Sequence, residues 1–495
     1  MSWATRRREQ YPAQKNNRNP NDGTMKQPSA MTQVARRISG LFQRKPSDLS
    51  ATEAKKAHPH TSLQPKIISR DQHQISRSKI SPNALKVLYR LKDAGFQSYL
   101  VGGAVRDLLL GLDPKDFDIA TDATPEQVQR EFRNCRLIGR RFRLAHVHFG
   151  QEIIEVATFR AAGGNDAETT DDGRLLRDNA YGTIEEDAVR RDFTVNALYY
   201  NIADFSVRDY VDAMPHLQAR ELKLIGPAEE RLREDPVRIL RAIRLGAKLG
   251  FSIDRETLLA TEKVKPLLAD VPPARLFDEV LKLMLAGFAE KSWASLAKHG
   301  LVSTLFGEGA RILTSPEGVR YRAFLNAALK NTDERVAVGK PVTPAFLFAV
   351  LLWPAYEAAL QSRQLDLTSP LEELAAAADE VVRRAVARVA LPKRFSLPMI
   401  EIWLLQDRFE KRQGKRAERF LTHPRFRAAY DFLLLRALID PTLEPLATWW
   451  TKAQEGMLPP TPLERTQADA DSAPAKRKRR RTRKARPAQE PSATP

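Results

Sequence analysis

Cysteine is almost absent from this chain: Cys135 is the only one among 495 residues. One thiol excludes an intrachain disulfide and any zinc site built from several cysteines, and it suits a reducing, cytoplasmic setting. Long apolar runs are absent as well. No stretch of about 18 uncharged apolar residues occurs, so no membrane-spanning helix is expected. Histidine is scarce, at 8 residues, and the later part of the chain carries no His-Asp pattern of a metal phosphohydrolase. His146 and His148 alternate along a candidate strand with no evident cluster of cysteines or acids to complete a metal site, so they are expected to be packed or exposed.

Acids are outnumbered by bases, 61 Asp and Glu against 80 Lys and Arg, for a formal net charge of +19. The excess sits at the two ends. Residues 1–70 hold 14 Lys and Arg against 4 Asp and Glu, and residues 476–487 add +9, which leaves the rest neutral overall. The run Lys476-Arg477-Lys478-Arg479-Arg480-Arg481 attracts phosphate backbones through counterion release, without reading their sequence. A solubilising run, or one that meets acidic lipid headgroups, has the same composition. Nucleic acid is favoured only because the core supplies matching chemistry.

Residues 1–70 are rich in Arg, Lys, Gln, Asn, Ser and Pro and are expected to be largely disordered. Their composition is close to that of a transit peptide, but no amphipathic helix opens the chain; Val34–Phe42 alone reads as one or two basic amphipathic turns. Order is expected from near Ser76. Residues 71–183 read as an α/β head with a small mixed sheet: a helix over 82–95 with Leu85, Leu88 and Leu91 on one side, a strand Ser98–Val101, a helix Ala104–Gly111, a strand Phe117–Thr121, a helix opened by Pro125, and a strand pair Arg143–Phe149 and Glu152–Phe159. Residues 161–183, with Asp166, Glu168, Asp171 and Asp172, predict a mobile loop. From about residue 185 the pattern is nearly all helix, and residues 458–495 are expected to be a disordered polybasic tail.

The richest segment is Val101-Gly-Gly-Ala-Val-Arg-Asp107, followed by Lys115-Asp-Phe-Asp-Ile119. Asp116 and Asp118 are two apart in a run that reads as a strand, so their side chains point the same way. Like charges held side by side call for a cation. Just upstream, Gly102 and Gly103 form a turn into a short apolar helix, which presents backbone N–H groups to an anion. Paired acids for Mg²⁺ beside a phosphate-holding turn point to nucleotidyl transfer. Arg106, one helical turn on, is placed to pair with triphosphate oxygens, with Asp107 orienting it or capping the helix; a surface ion pair has the same spacing. Glu155 interrupts an apolar strand, either as a solvent-facing residue or as a third carboxylate that seats Mg²⁺ or draws a proton from an attacking hydroxyl.

Two further constellations stand on predicted helices. In Gly182–Asn196, Thr183 and Glu186 have capping-box spacing, and Asp192 and Asn196 share a face that can hold ribose hydroxyls, with Arg190 and Arg191 free to meet phosphates. In Arg233–Arg244, Asp235 and Arg238 are three apart. An acceptor beside a donor matches the edge of adenine or cytosine and rejects guanine or uracil. An ordinary intrahelical ion pair fits each spacing equally well.

Five blocks in order resemble the class II nucleotidyltransferases, the family of bacterial poly(A) polymerases and CCA-adding tRNA nucleotidyltransferases: Leu100-Val-Gly-Gly-Ala-Val-Arg-Asp, Lys115-Asp-Phe-Asp, Glu155-Val-Ala-Thr-Phe-Arg, Arg190-Arg-Asp-Phe-Thr-Val-Asn-Ala-Leu and Glu234-Asp-Pro-Val-Arg-Ile-Leu-Arg-Ala. Longer segments, among them Phe132–His146, Pro273–Glu279 and His423–Phe432, are similar to the poly(A) polymerase branch. The resemblance spans about residues 70–455. It implies a five-stranded head over 71–183, a neck with base-recognition helices over 184–265, and a helical body and RNA-binding region over 266–457. It also implies two Mg²⁺ ions on Asp116 and Asp118, with Arg106, Asp192 and Asn196 near triphosphate and ribose and Asp235 and Arg238 near the base. The implied reaction adds AMP from ATP to RNA 3′ ends, by a monomer whose candidate protein partners act in RNA degradation or as RNA chaperones. CCA addition to tRNA fits the same motifs, and a non-catalytic RNA-binding adaptor is the reading from another class.

Overall fold

The computed structural model describes residues 64–139, 143–161, 181–363, 370–412 and 415–456. The expected disordered N-terminal residues up to 63, the acidic loop residues 162–180 and the tail bearing Lys476–Arg481 lie outside the described residues. The described chain forms two compact units: one comprises residues 64–161, 181–191 and 196–213, the other residues 192–195 and 214–456.

The first unit is built on one mixed sheet. Its strands are β1 (Lys66–Ile68), β2 (Ser98–Val101), β3 (Asp118–Thr121), β4 (Cys135–Ile138), β5 (Leu144–Phe149), β6 (Glu152–Thr158), β7 (Leu198–Asn201) and β8 (Val207–Asp209). They lie in the order β1-β8-β7-β2-β3-β6-β5-β4, so the sheet has eight strands where the resemblance implied five. Only β3 and β6 pair in parallel. The sheet takes in β1, which precedes residue 71, and β7 and β8, which follow residue 183. Order starts before Ser76, because Lys66–Ile68 adds to the edge strand β8. Past residue 185 the chain is not all helix: Leu198-Tyr-Tyr-Asn201 is buried at every position, as in a central strand covered on both faces, and such a run lacks the alternation that marks a half-exposed strand.

Helix α1 (Pro82–Asp93) begins where the Ser81 side chain accepts from the N–H groups of Asn83 and Ala84, with Pro82 in the first turn. It buries Ala84, Val87, Leu88 and Leu91; Leu85 is only half-buried. The Ser98 hydroxyl donates to the Leu88 carbonyl, which fixes α1 on the sheet face carrying Ser98 and Leu100. Helix α2 (Gly103–Leu109) follows β2 directly, and α3 (Pro125–Glu131) opens with a Thr124–Gln127 capping box. Helix α4 (Ile184–Val189), with the predicted Thr183–Glu186 capping box, covers the other face: Ile184 and Ala188 join Tyr99, Val101, Ala120, Phe159, Tyr199 and Tyr210 in one apolar cluster.

The second unit is mostly helical: α5 (Ala213–Ala219, entered from the first unit at Ala213), α6 (Ala228–Glu234), α7 (Val237–Leu249), α8 (Arg255–Val264), α9 (Pro273–Met284), α10 (Ala289–Lys298), α11 (Val302–Phe306), α12 (Val319–Ala337), α13 (Pro344–Gln361), α14 (Pro370–Val386), α15 (Lys393–Leu404), α16 (Lys415–Leu421), α17 (Phe426–Ala437) and α18 (Glu444–Gln454). A two-residue parallel pairing, Glu221–Leu222 with Ser252–Ile253, is its one small sheet among the described residues. Helix α13 is long and apolar enough to cross a membrane, but 67% of its most apolar window is buried inside the protein, where it packs on α14 and α15. Near the end of the described chain, Phe409, Phe420, Phe426, Tyr430 and Trp450 close a second core, and the Trp450 indole donates to the Phe409 carbonyl at 2.9 Å. Trp450→Ala removes a fully buried ring and that bond, so it is expected to destabilise the second unit by about 3–5 kcal/mol, read by chemical unfolding of the full chain; a loss below ~1 kcal/mol would contradict this packing.

Candidate active site

One row of residues runs directly across six strands: Tyr199 on β7, Val101 on β2, Asp118 on β3, Glu155 on β6, His146 on β5 and Arg136 on β4. Residues in register on neighbouring strands point to the same face. The parallel pairing of β3 with β6 thus sets Asp118 and Glu155 side by side on the face that α4 covers. Asp116 precedes β3 rather than belonging to it, as the strand begins at Asp118; buried Phe117 anchors the chain between them and leaves both acids at the surface.

The acids are held against their own electrostatics. Asp118 is accessible to water yet hemmed in by protein, and this burial, then Glu155 and Asp116, push its carboxyl from an ordinary 3.8 up to about 6 despite the opposing charge of Arg191. Glu155 is raised too, first by burial and then by Asp116. The imidazole Nε2 of His146 lies 3.5 Å from Glu155 Oε1, and burial lowers its pKa, so near neutral pH it faces the carboxylate uncharged. A divalent cation relieves this repulsion. Among the described residues no group of three or more His, Cys, Asp and Glu converges as an all-protein metal cage. Mg²⁺ needs none, since it takes one or two carboxylates and completes its shell with water and substrate phosphates. Asp116 and Asp118, flanked by Glu155, fit that requirement.

Above the row, Gly102 turns the chain from β2 into α2 with φ 74° and ψ −134°, a conformation that favours glycine. Arg106 does not present its fork to an open site as expected. It is buried; its Nε and Nη2 donate to Asp107 Oδ1 at 2.8 and 2.6 Å, and its Nη1 donates to Asn196 Oδ1 at 2.5 Å. The guanidinium lies under Gly103 and ties the turn to the segment before β7. Arg191 also reaches the turn: a Cβ added at Gly102 would stand 3.7 Å from Arg191 Nη1.

Asp192 and Asn196 do not share a helix face. Helix α4 ends at Val189, and the backbone beyond it is drawn into bonds with another segment, Thr194 N–H donating to the Lys223 carbonyl and Ile225 N–H to the Asp192 carbonyl. Asp192 instead accepts from Arg241 at 2.5 and 2.9 Å in the second unit, which raises the Arg241 pKa. Asp235 and Arg238 are not one helical face either. Asp235 lies between α6 and α7, where its Oδ1 accepts from the Val237 N–H and its Oδ2 from Arg275 at 2.7 Å. Arg238 Nη1 donates to the Arg231 carbonyl and to Glu234. Sequence reasoning passed over Asp187, although its spacing of four from Arg191 was a visible signal. It also passed over Tyr199, Arg241 and Arg275, whose partners are remote or hidden by the misread helix.

Three family models match parts of this chain. Residues 98–223 match the poly A polymerase head domain, residues 250–313 the probable RNA and SrmB-binding site of polymerase A, and residues 367–486 the polymerase A arginine-rich C-terminus. Poly(A) polymerase I of Salmonella typhimurium is 48% identical over 452 residues, covering 90% of this chain and 96% of that protein. The chain belongs to the bacterial poly(A) polymerase I family. Poly(A) polymerase I of Escherichia coli O157:H7 is 49% identical, over 82% of this chain and 92% of that protein. The CCA-adding enzyme of Streptococcus pneumoniae serotype 19F is 38% identical but covers 43% of this chain and 52% of that protein. Among solved structures, the Bacillus stearothermophilus CCA-adding enzyme in complex with CTP is 26% identical, with a TM-score of 0.50 over 76% of this chain and 83% of that one.

The acid row predicts a pH signature. An unfolded Asp loses its proton near 3.8, whereas folded Asp118 keeps it to about 6, so without metal this group lowers stability as pH rises between those values. A divalent ion binds the ionised form, so its stabilisation grows over the same window. The rise in Tm on adding Mg²⁺ is expected to be larger at about pH 7.5 than at about pH 5 and to shrink in Asp118→Asn; equal shifts at both pH values would contradict the site.

Proposed function

We propose that this chain is a template-independent RNA nucleotidyltransferase that adds AMP from ATP to RNA 3′ ends and releases pyrophosphate. The observation that carries the reading is the side-by-side pair Asp118 and Glu155, with Asp116 ahead of it, where burial first and then the two neighbouring carboxylates raise Asp118 to about 6. Poly(A) polymerase is the printed activity of relatives that match most of the chain, whereas the CCA-adding relative matches less than half of it.

Asp116 and Asp118 are assigned to hold two Mg²⁺ ions, which when bound lower the pKa of the RNA 3′-hydroxyl and neutralise the leaving pyrophosphate. Glu155 stands beside them to draw the hydroxyl proton as the oxygen attacks the α-phosphorus of ATP. The Gly102-Gly103 turn and Arg191 receive the triphosphate, while buried Arg106 and Asn196 hold the turn in place. Asp235 and Arg238 are assigned to the adenine edge and Asp192 to the sugar side, each already oriented by an arginine or glutamate partner. The helices after the head carry neck, body and RNA-binding roles, and the basic run Lys476–Arg481 holds RNA through its phosphates. Little is demanded of the protein beyond position and charge.

The test is nucleotide selectivity. Purified protein, incubated with unstructured RNA and one nucleotide at a time, is expected to build long tails from ATP alone. Asp116→Ala should slow that extension by at least ~10²-fold. Short additions from CTP on truncated tRNA would replace this reading by CCA addition, and undiminished extension by Asp116→Ala would remove the catalytic assignment.

A further inference from the structure

We propose that Asp187 and Tyr199 are positioning residues that aim Arg191 at the Gly102 turn and so set the affinity for the pyrophosphate part of the nucleotide. The inference rests on the assignment of that turn to the triphosphate. Arg191 lies two residues beyond α4. Its Nε and Nη2 donate to Asp187 Oδ2 at 3.1 and 2.8 Å, and its Nε also donates to the Tyr199 hydroxyl at 2.9 Å. That hydroxyl in turn donates to the same Asp187 Oδ2 at 2.8 Å. The other carboxylate oxygen, Oδ1, accepts from Arg190 Nε and Nη2 at 3.1 and 2.7 Å. The rear edge of the Arg191 guanidinium is therefore held, and Nη1 is the nitrogen beside Gly102, 3.7 Å from where a Cβ there would stand.

The brace is rigid because its base is buried. Asp187 is 2% exposed and Tyr199 is 0% exposed. The Tyr199 ring is wedged edge-on between Tyr99 and Tyr210, with centroids 6.2 and 6.0 Å away and interplanar angles of 89° and 87°. A tyrosine fixed at both faces cannot swing, so its hydroxyl is a fixed point for Arg191. The charges of this cluster also point to an anion. One carboxylate, Asp187, holds two guanidiniums, those of Arg190 and Arg191. An arginine whose rotamer is settled before the ligand arrives loses little freedom on binding, and planar donors match phosphate oxygens. Tyr199 touches no substrate in this account; it acts through Arg191.

Tyr199→Phe deletes one oxygen and leaves the ring packing intact. The expected result is a rise of about tenfold in the KM for ATP and a matching weakening of inhibition by pyrophosphate, with inhibition by AMP unchanged and the fold retained by circular dichroism. Asp187→Asn, which keeps volume and removes charge, is expected to act in the same direction and more strongly. Arg191→Lys separates the two levels of the account. If Arg191→Lys weakens pyrophosphate inhibition and Tyr199→Phe does not, the brace is overturned while the triphosphate assignment stands. If neither variant changes it, that assignment fails with it. Equal loss of AMP and pyrophosphate binding in Tyr199→Phe would reduce Tyr199 to a general structural role and also overturn the proposal.

Discussion

Mutual repulsion among carboxylates placed in one row of a sheet is the constraint on which the rest of this molecule depends. Strand pairing, not side-chain affinity, forces Asp118 and Glu155 together: the parallel register of β3 with β6 is fixed by the apolar neighbours Ile119, Ala120, Val156 and Ala157, which are buried or half-buried. The apolar sheet carries the cost of holding two acids side by side. Around that row the protein arranges charge of the opposite sign in a controlled way. Arg191 is close enough to Asp118 to oppose the rise in its pKa, and it is also tied to Asp187. Asp187 is held at about 2, its burial outweighed by Arg191, Arg190 and the Tyr199 hydroxyl, so it stays ionised at any working pH.

The arginines divide into those that hold and those that face outward. Arg106 is spent inside the head, between Asp107 and Asn196. Arg241, Arg275 and Arg238 in the second unit each grip an acid, at Asp192, Asp235 and Glu234. In this way much of the charge of these motifs is internal wiring. Bidentate or shared pairs of this kind fix direction more than they add stability, because ion pairs near the surface contribute little net energy.

The local parts of this design were legible in the sequence, and the non-local parts were not. Ser98–Val101 was read to the residue, because a short apolar run ended by Gly-Gly has few alternatives. The capping box at Thr183 and Glu186 was likewise visible from spacing alone. Asp116 and Asp118 announced themselves as a pair, although the strand begins only at the second. The place of Glu155 beside Asp118 depends on a parallel pairing across an intervening hairpin, which no local pattern encodes. Strand β7 carries no strand signal in the sequence, because Tyr199 and Tyr200 are buried on opposite faces and leave no alternation. The face expected for Asp192 and Asn196 failed for a related reason: backbone bonds to Lys223 and Ile225 end helical spacing beyond α4.

The central claim is that the acids of this row act together as one cation site. Binding of Mn²⁺ in the presence of a non-hydrolysable ATP analogue, followed by electron paramagnetic resonance, tests it directly. The account predicts about two bound ions per chain in the unaltered protein and loss of bound ions in Asp118→Asn, with the fold retained by circular dichroism. Undiminished Mn²⁺ binding by that variant would contradict it.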